Sequence, residues 1–169
     1  MKKISVYVCI LLMAVSISWA QEEEKAPAKE EAAKEEPAAD TSKGTSDYIK
    51  DLSSKDMQTA VKAAEWLGKN EEATAVKPLS NTLKSDNREK VRLYAAISLG
   101  LIGNEKGVDA LNNALLNDSS ADVRYSALLS IVRIGSKESI DTLKKAKEKE
   151  GDPYIKDFLK KMEEKLKGE

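Results

Sequence analysis

The sequence predicts an all-α protein, a stack of about three similar helical hairpins with a short helix at either end. The stretch from Tyr94 to Leu115, YAAISLGLIGNEKGVDALNNAL, has a counterpart 32 residues earlier, KAAEWLGKNEEATAVKPLSNTL, and another 32 residues later, SALLSIVRIGSKESIDTLKKAK. A repeat of this length is the mark of stacked supersecondary units, each too small to bury its apolar stripe alone. Within each copy the apolar residues recur at helical spacing. The 169 residues are 34 % charged and 5 % aromatic, with few Gly and Pro, which is a helix-rich balance.

Taken in order, residues 1–20 (MKKISVYVCILLMAVSISWA) read as a secretory signal peptide. Lys2 and Lys3 open it, an apolar run follows from Ile4 to Val15, and Ser18 and Ala20 form a small-residue cleavage site before Gln21. The competing reading is a retained membrane anchor; the run is short for a span and contains serines, which favours cleavage. Cys9, preceded by Tyr7 and Val8, lacks the small neighbour of a lipoprotein cysteine, so the mature chain is expected to have no thiol. Residues 21–44 carry eight acidic residues and three Lys between Gln21 and Asp40, with no apolar side chain larger than Ala or Pro. Such a segment is expected to be disordered, as a spacer reaching roughly 25–30 Å or as a solvated leader.

From Thr45 the repeat domain begins. A short helix from Ser46 offers Tyr48, Ile49 and Leu52 to the first unit. The repeats run over about 54–85, 86–117 and 118–150, each a helix A, a tight turn and a helix B. The A-helix stripe is Thr59/Val91/Val123, Ala63/Ala95/Ala127, Ala64/Ala96/Leu128 and Leu67/Leu99/Ile131. The B-helix stripe is Val76/Val108/Ile140 and Leu79/Leu111/Leu143. Ser54, Asp86 and Asp118 are expected to lie at the starts of the A helices, with Glu89 three residues after Asp86 and Asp122 three residues after Ser119 as capping signals. Gly68, Gly103 and Gly135 are expected to end those helices in a left-handed residue. A second stripe on the middle A helix, Leu93, Ile97 and Leu101, marks it as a layer sandwiched between two others. Asp152 and Pro153 start a terminal helix, 152–167, lined by Tyr154, Ile155, Phe158, Leu159, Met162 and Leu166. Its interleaved Lys and Glu predict a soluble cap rather than a membrane-binding helix.

VRLYAAISLGLIGNEKGVDALNNAL and VRYSALLSIVRIGSKESIDTLKKA resemble HEAT repeats, and more narrowly the HEAT-like units named after phycobilisome bilin lyases. The resemblance spans Asp56 to Ala146. The first unit departs from it, with Thr59 and Ala60 in place of Val-Arg and Asn70 and Glu71 in place of Ile-Gly; Val132 replaces the first Gly of the third. The resemblance implies a right-handed α-solenoid whose B helices line a concave, partner-binding side. The positions facing outward there are Lys77, Asn81 and Lys84; Asp109, Asn112, Asn113 and Leu116; and Asp141, Lys144, Lys145 and Glu148. This row is either a docking face for a protein partner or plain solvated surface. Arg92 and Arg124, at one repeat position, are read as bridges to acidic or carbonyl groups of a neighbouring repeat rather than as ligand groups. Trp66, Tyr94 and Tyr125 are read as partly buried core.

The chain has no histidine and a net charge of −1. The first fact removes imidazole-based nucleophile systems and every His metal site; the second removes the basic field that nucleic-acid binding needs. No CxxC, GxSxG, phosphate-loop or EF-hand pattern is present. The expectation is therefore an exported, monomeric, non-enzymatic scaffold of the bacterial periplasm or envelope, or a released one, with a protein partner, no cofactor and no membrane insertion after cleavage. The alternatives are an accessory or lyase-like protein of the bilin-lyase type and a purely structural envelope protein.

Overall fold

A computed structural model describes residues 43–167, with side chains through residue 164. The signal peptide, the linker up to residue 42 and the Leu166 side chain lie outside the described residues. Eight α-helices are found among the described residues: α1 Thr45–Asp51, α2 Met57–Lys69, α3 Val76–Ser85, α4 Glu89–Ile102, α5 Val108–Asn117, α6 Ala121–Ile134, α7 Ile140–Lys149 and α8 Pro153–Lys167. A one-turn 3-10 helix leads into each of α3, α5 and α7. The A helices α2, α4 and α6 pack side by side, and the B helices α3, α5 and α7 form a second row that packs in series. This two-layer, all-α solenoid is the predicted fold.

One continuous core runs between the rows. Leu67, Leu99 and Ile131 of the A helices and Leu79, Leu111 and Leu115 of the B helices have at most 1 % of their surface exposed. At about 25 cal/mol per Å² these side chains supply most of the stabilisation of the stack. Tyr48 and Leu52 of α1 close one end, where the Tyr48 ring stacks on Trp66 at 4.0 Å. Ile155 and Leu159 of α8 close the other. Trp66, Tyr94 and Tyr125 are partly buried against the core, as expected.

Where α2, α4 and α6 meet, the residues are small. A Cβ added to Gly68 would lie 2.7 Å from Ser98, and one on Gly100 would lie 2.9 Å from the Ser130 Cα. The Ser98 hydroxyl donates to the Ala64 carbonyl at 2.7 Å, and the Ser130 hydroxyl to the Ala96 carbonyl at 2.8 Å. Each glycine admits the next helix close enough for a serine to bond across the gap. This corrects two expectations. Gly68 is a helix-packing residue, and the left-handed residue of its repeat is Glu71 (φ 52°), in register with Gly103 (φ 69°) and Gly135 (φ 70°). The second stripe of α4 is not sandwiched either: Ile97 is 37 % exposed, and Leu129 and Val132 of α6 are 40 % and 38 % exposed. Leu93 and Leu101 of that stripe are half-buried, Leu93 against the core, and Ile97 stays on the outer face because Gly100 and Ser98 fill the contact between layers.

The caps also differ from expectation. The N-cap residues are Asp56, Arg88 and Ser120, two positions after Ser54, Asp86 and Asp118. Asp56 accepts from the Thr59 N–H at 2.8 Å, and Ser120 from the Val123 N–H at 3.4 Å. Arg88 makes no side-chain cap. Ser54, Asp86 and Asp118 do not cap because their side chains accept the N–H two residues ahead instead, at 3.2, 2.8 and 2.9 Å. Asp152 does cap α8, accepting from Tyr154 and Ile155. Tyr154 itself is 66 % exposed, edge-on to Tyr125, and is not part of the buried side of α8.

Candidate partner face and inter-repeat staples

The B-helix row is where the sequence places its candidate face. Lys77, Asn81 and Lys84 on α3, Asp109 and Asn113 on α5, and Asp141, Lys144, Lys145 and Glu148 on α7 are all exposed. Consecutive B helices pack on one another, so these positions lie on one ribbon of surface. Some side chains are already engaged: Asn113 accepts from Asn117 at 2.9 Å, and Lys144 pairs with Asp141 at 3.5 Å. Leu116 and Asn112 are half-buried rather than projecting. The Asn112 Oδ1 and, one repeat earlier, the Ser80 Oγ are shielded from solvent with no hydrogen-bond partner. An unpaired buried acceptor costs about 1–3 kcal/mol, so these two atoms are the least satisfied groups of the row.

Arg92 and Arg124 are held by the protein. Arg92 donates to both carboxylate oxygens of Asp118, at 2.8 and 2.9 Å, and to the Asp86 carbonyl at 3.0 Å. Arg124 repeats this one layer on, binding the Glu150 carboxylate at 3.0 and 2.8 Å and the Asp118 and Ser119 carbonyls. Each guanidinium joins two consecutive inter-repeat turns. The first repeat has Ala60 at the arginine position, and Arg88 substitutes from the other strand of the staple: it binds the Asp86 carboxylate and the Ser54 and Lys55 carbonyls. Asp86 and Asp118 recur at the period of 32 but read as caps rather than arginine partners, and neither Glu150 nor Arg88, which is out of register, was singled out.

The displaced titrations belong to these staples. Hydrogen bonds from Arg88 hold the Asp86 carboxyl below its ordinary pKa. At Asp118 and Glu150 desolvation is the largest influence and pushes upward, but the hydrogen bonds from Arg92 and Arg124, the backbone N–H groups of Ser120 and Asp152 and the guanidinium charges together outweigh it, and both carboxyls end below the usual range. A cleft of about 200 Å³ between the ends of α5 and α7 is lined by Asp118, Arg124, Lys149 and Glu150. Its charged groups are largely the staple itself. Among the described residues no group of three or more His, Cys, Asp or Glu is placed to hold a metal ion. Among them, too, no helix is long and apolar enough to cross a membrane.

This two-row stack of helical hairpins, laced at its turns, defines an α-solenoid of the repeat class. The family model for HEAT repeats matches residues 46–128 and again residues 76–157, and the chain belongs to the HEAT-repeat family. A similar solved structure is the complex of CpcE and CpcF of phycocyanin lyase from Nostoc sp. PCC7120, at 30 % identity and a TM-score of 0.59. The match covers 75 % of this chain and 52 % of that one, so the chain spans about half the length of its solved relative. No curated protein matches the sequence.

Proposed function

We propose that this chain is a HEAT-repeat scaffold that binds another protein along its B-helix row, as a monomer and without catalysis of its own. The observation that carries this reading is the ribbon of exposed Lys77, Asn81, Lys84, Asn113, Lys144 and Lys145 on a rigidly packed row of helices. Rigid presentation lowers the ordering cost of association, and lysine and amide groups suit the polar backbone and acidic side chains of a partner. The lysine-led apolar segment at residues 1–20 supports export to the periplasm, the cell envelope or the medium.

The test is crosslinking and affinity capture from living cells, with the full-length precursor tagged at its C-terminus. One stoichiometric partner is expected, lost when Asn81→Ala, Asn113→Ala and Lys144→Glu, all at exposed positions, are combined. A partner retained by that triple variant would reject the row as the site. The mature N-terminus, read by mass spectrometry, tests export: cleavage before Gln21 is expected, and an intact Met1 would contradict it.

A second reading, an accessory or lyase-like role, is favoured by the similarity to the phycocyanin lyase complex. On that reading the purified chain carries or transfers a tetrapyrrole and shows its absorbance band. Under the scaffold reading that band is absent.

A further inference from the structure

The contact between A helices follows a rule at two of its three occurrences. Gly68 faces Ser98, Gly100 faces Ser130, and each serine donates to a carbonyl of the preceding helix. One repeat further, the same positions hold Val132 on α6 and Met162 on α8. Neither residue allows the close approach, and methionine brings no hydroxyl. The effect is visible in the packing: α2 with α4 and α4 with α6 lie backbone against backbone, whereas α8 leans mainly on α7. Val132 is left 38 % exposed beside it.

What holds α8 is correspondingly thin. Ile155 and Leu159 are buried, and Phe158 meets the Tyr125 ring edge-on at 5.9 Å. Tyr154 meets the same ring edge-on at 5.2 Å with the two hydroxyls 3.4 Å apart, and a solvent-open ion pair, Lys147 with Glu163, links α8 to α7. The attachment point is asymmetric. Arg124 fixes Glu150 to the stack, the Glu150 carboxylate accepts the Asp152 N–H at 2.8 Å as a single bond across the hinge, and Gly151 between them is exposed and has nothing within 4 Å of where a Cβ would be.

We propose that α8 is a hinged cap that swings off the stack about Gly151 as a unit while α1–α7 stay folded. Its seat is the end face that shares the core with Leu128, Ile131 and Ala146. Opening uncovers that apolar face transiently, and the staple at Glu150 keeps the end of α7 in place when α8 leaves. The solenoid therefore has one firmly closed end, at the Tyr48–Trp66 stack, and one that opens.

Native-state hydrogen exchange on the full chain tests this. Backbone amides of α8 are expected to exchange at least roughly 10-fold faster than those of α4, through an opening that exposes little surface and so depends weakly on denaturant. Leu159→Ala separates the possibilities. Under the proposal it speeds exchange in α8 by roughly 30-fold or more and leaves α2–α5 unchanged. Exchange of α8 and α4 through one common unfolding event, with Leu159→Ala speeding every helix equally, would overturn it.

Discussion

The guanidinium of Arg92 touches two turns at once, and this one side chain shows how the repeats are joined. It is 13 % exposed and its partner Asp118 is 7 % exposed, so the pair is shielded enough to matter. Charge-assisted hydrogen bonds of this kind contribute about 1.5–3 kcal/mol. Arg92→Ala is therefore expected to destabilise the protein by about that amount in urea unfolding, and Arg92→Lys to recover only part of it, since an ammonium cannot reproduce the fork. Gly100 gives a test of opposite intuition. On helix propensity alone, Gly100→Ala adds about 1 kcal/mol; the contact with Ser130 reverses the sign, and a net loss of about 1–3 kcal/mol is expected from thermal or chemical denaturation. The bridging role of Arg92 and Arg124 was implied by the resemblance to HEAT repeats, and their bonds to Asp118, Glu150 and the turn carbonyls agree with it. Ser98 and Ser130 recur just as regularly, but a buried serine carries no apolar signal, and their role emerges only when neighbouring helices are seen in contact.

At the level of elements, helix existence and order follow from the period of 32 with little ambiguity, and every predicted hairpin is present. The errors lie at the ends and flanks of helices. Caps fell two residues late because Asp86 and Asp118 close the turn and bind arginine, two demands that outcompete helix capping for the same oxygens. The stripe of Leu93, Ile97 and Leu101 reads as an inter-layer contact, but a helical wheel cannot say which flank meets the next repeat, and Ile97 lies exposed. The acidic staples also set a pH dependence. Asp86, Asp118 and Glu150 have folded pKa values below their ordinary ones, so the stability they contribute is complete above the unfolded carboxylate value, about 4, and is lost as pH falls through the lower folded values. The melting temperature is expected to drop as the pH is taken from 5 to below 4, and less steeply in Arg124→Ala. An equal pH slope in both proteins would show that the Glu150 pair contributes nothing.

Across the described residues one main core links the two rows, and the repeat register holds at its large side chains except Ile140, which lies 48 % exposed. Leu99 is 1 % exposed at the centre of the stack, and Leu99→Asp is expected to unfold it, at a cost of several kcal/mol. Asn113→Asp on the exposed row should change stability by less than about 0.5 kcal/mol. The solenoid was legible because a repeat writes its contacts three times. The candidate partner face is a ribbon of polar positions that nothing in the repeat requires and nothing in the packing marks. The molecule offers a second exposed surface, the apolar outer side of Ile97 and Leu129, and the account turns on which of the two meets the partner. The most direct measurement places a photo-crosslinking amino acid at Asn81, Asn113 or Lys144, and in parallel at Ile97 or Leu129, in living cells. Adducts to one common protein from the three B-helix positions, and none from the two A-helix positions, are the predicted result. Adducts from Ile97 and Leu129 alone would contradict the account and move the binding surface to the opposite side of the stack.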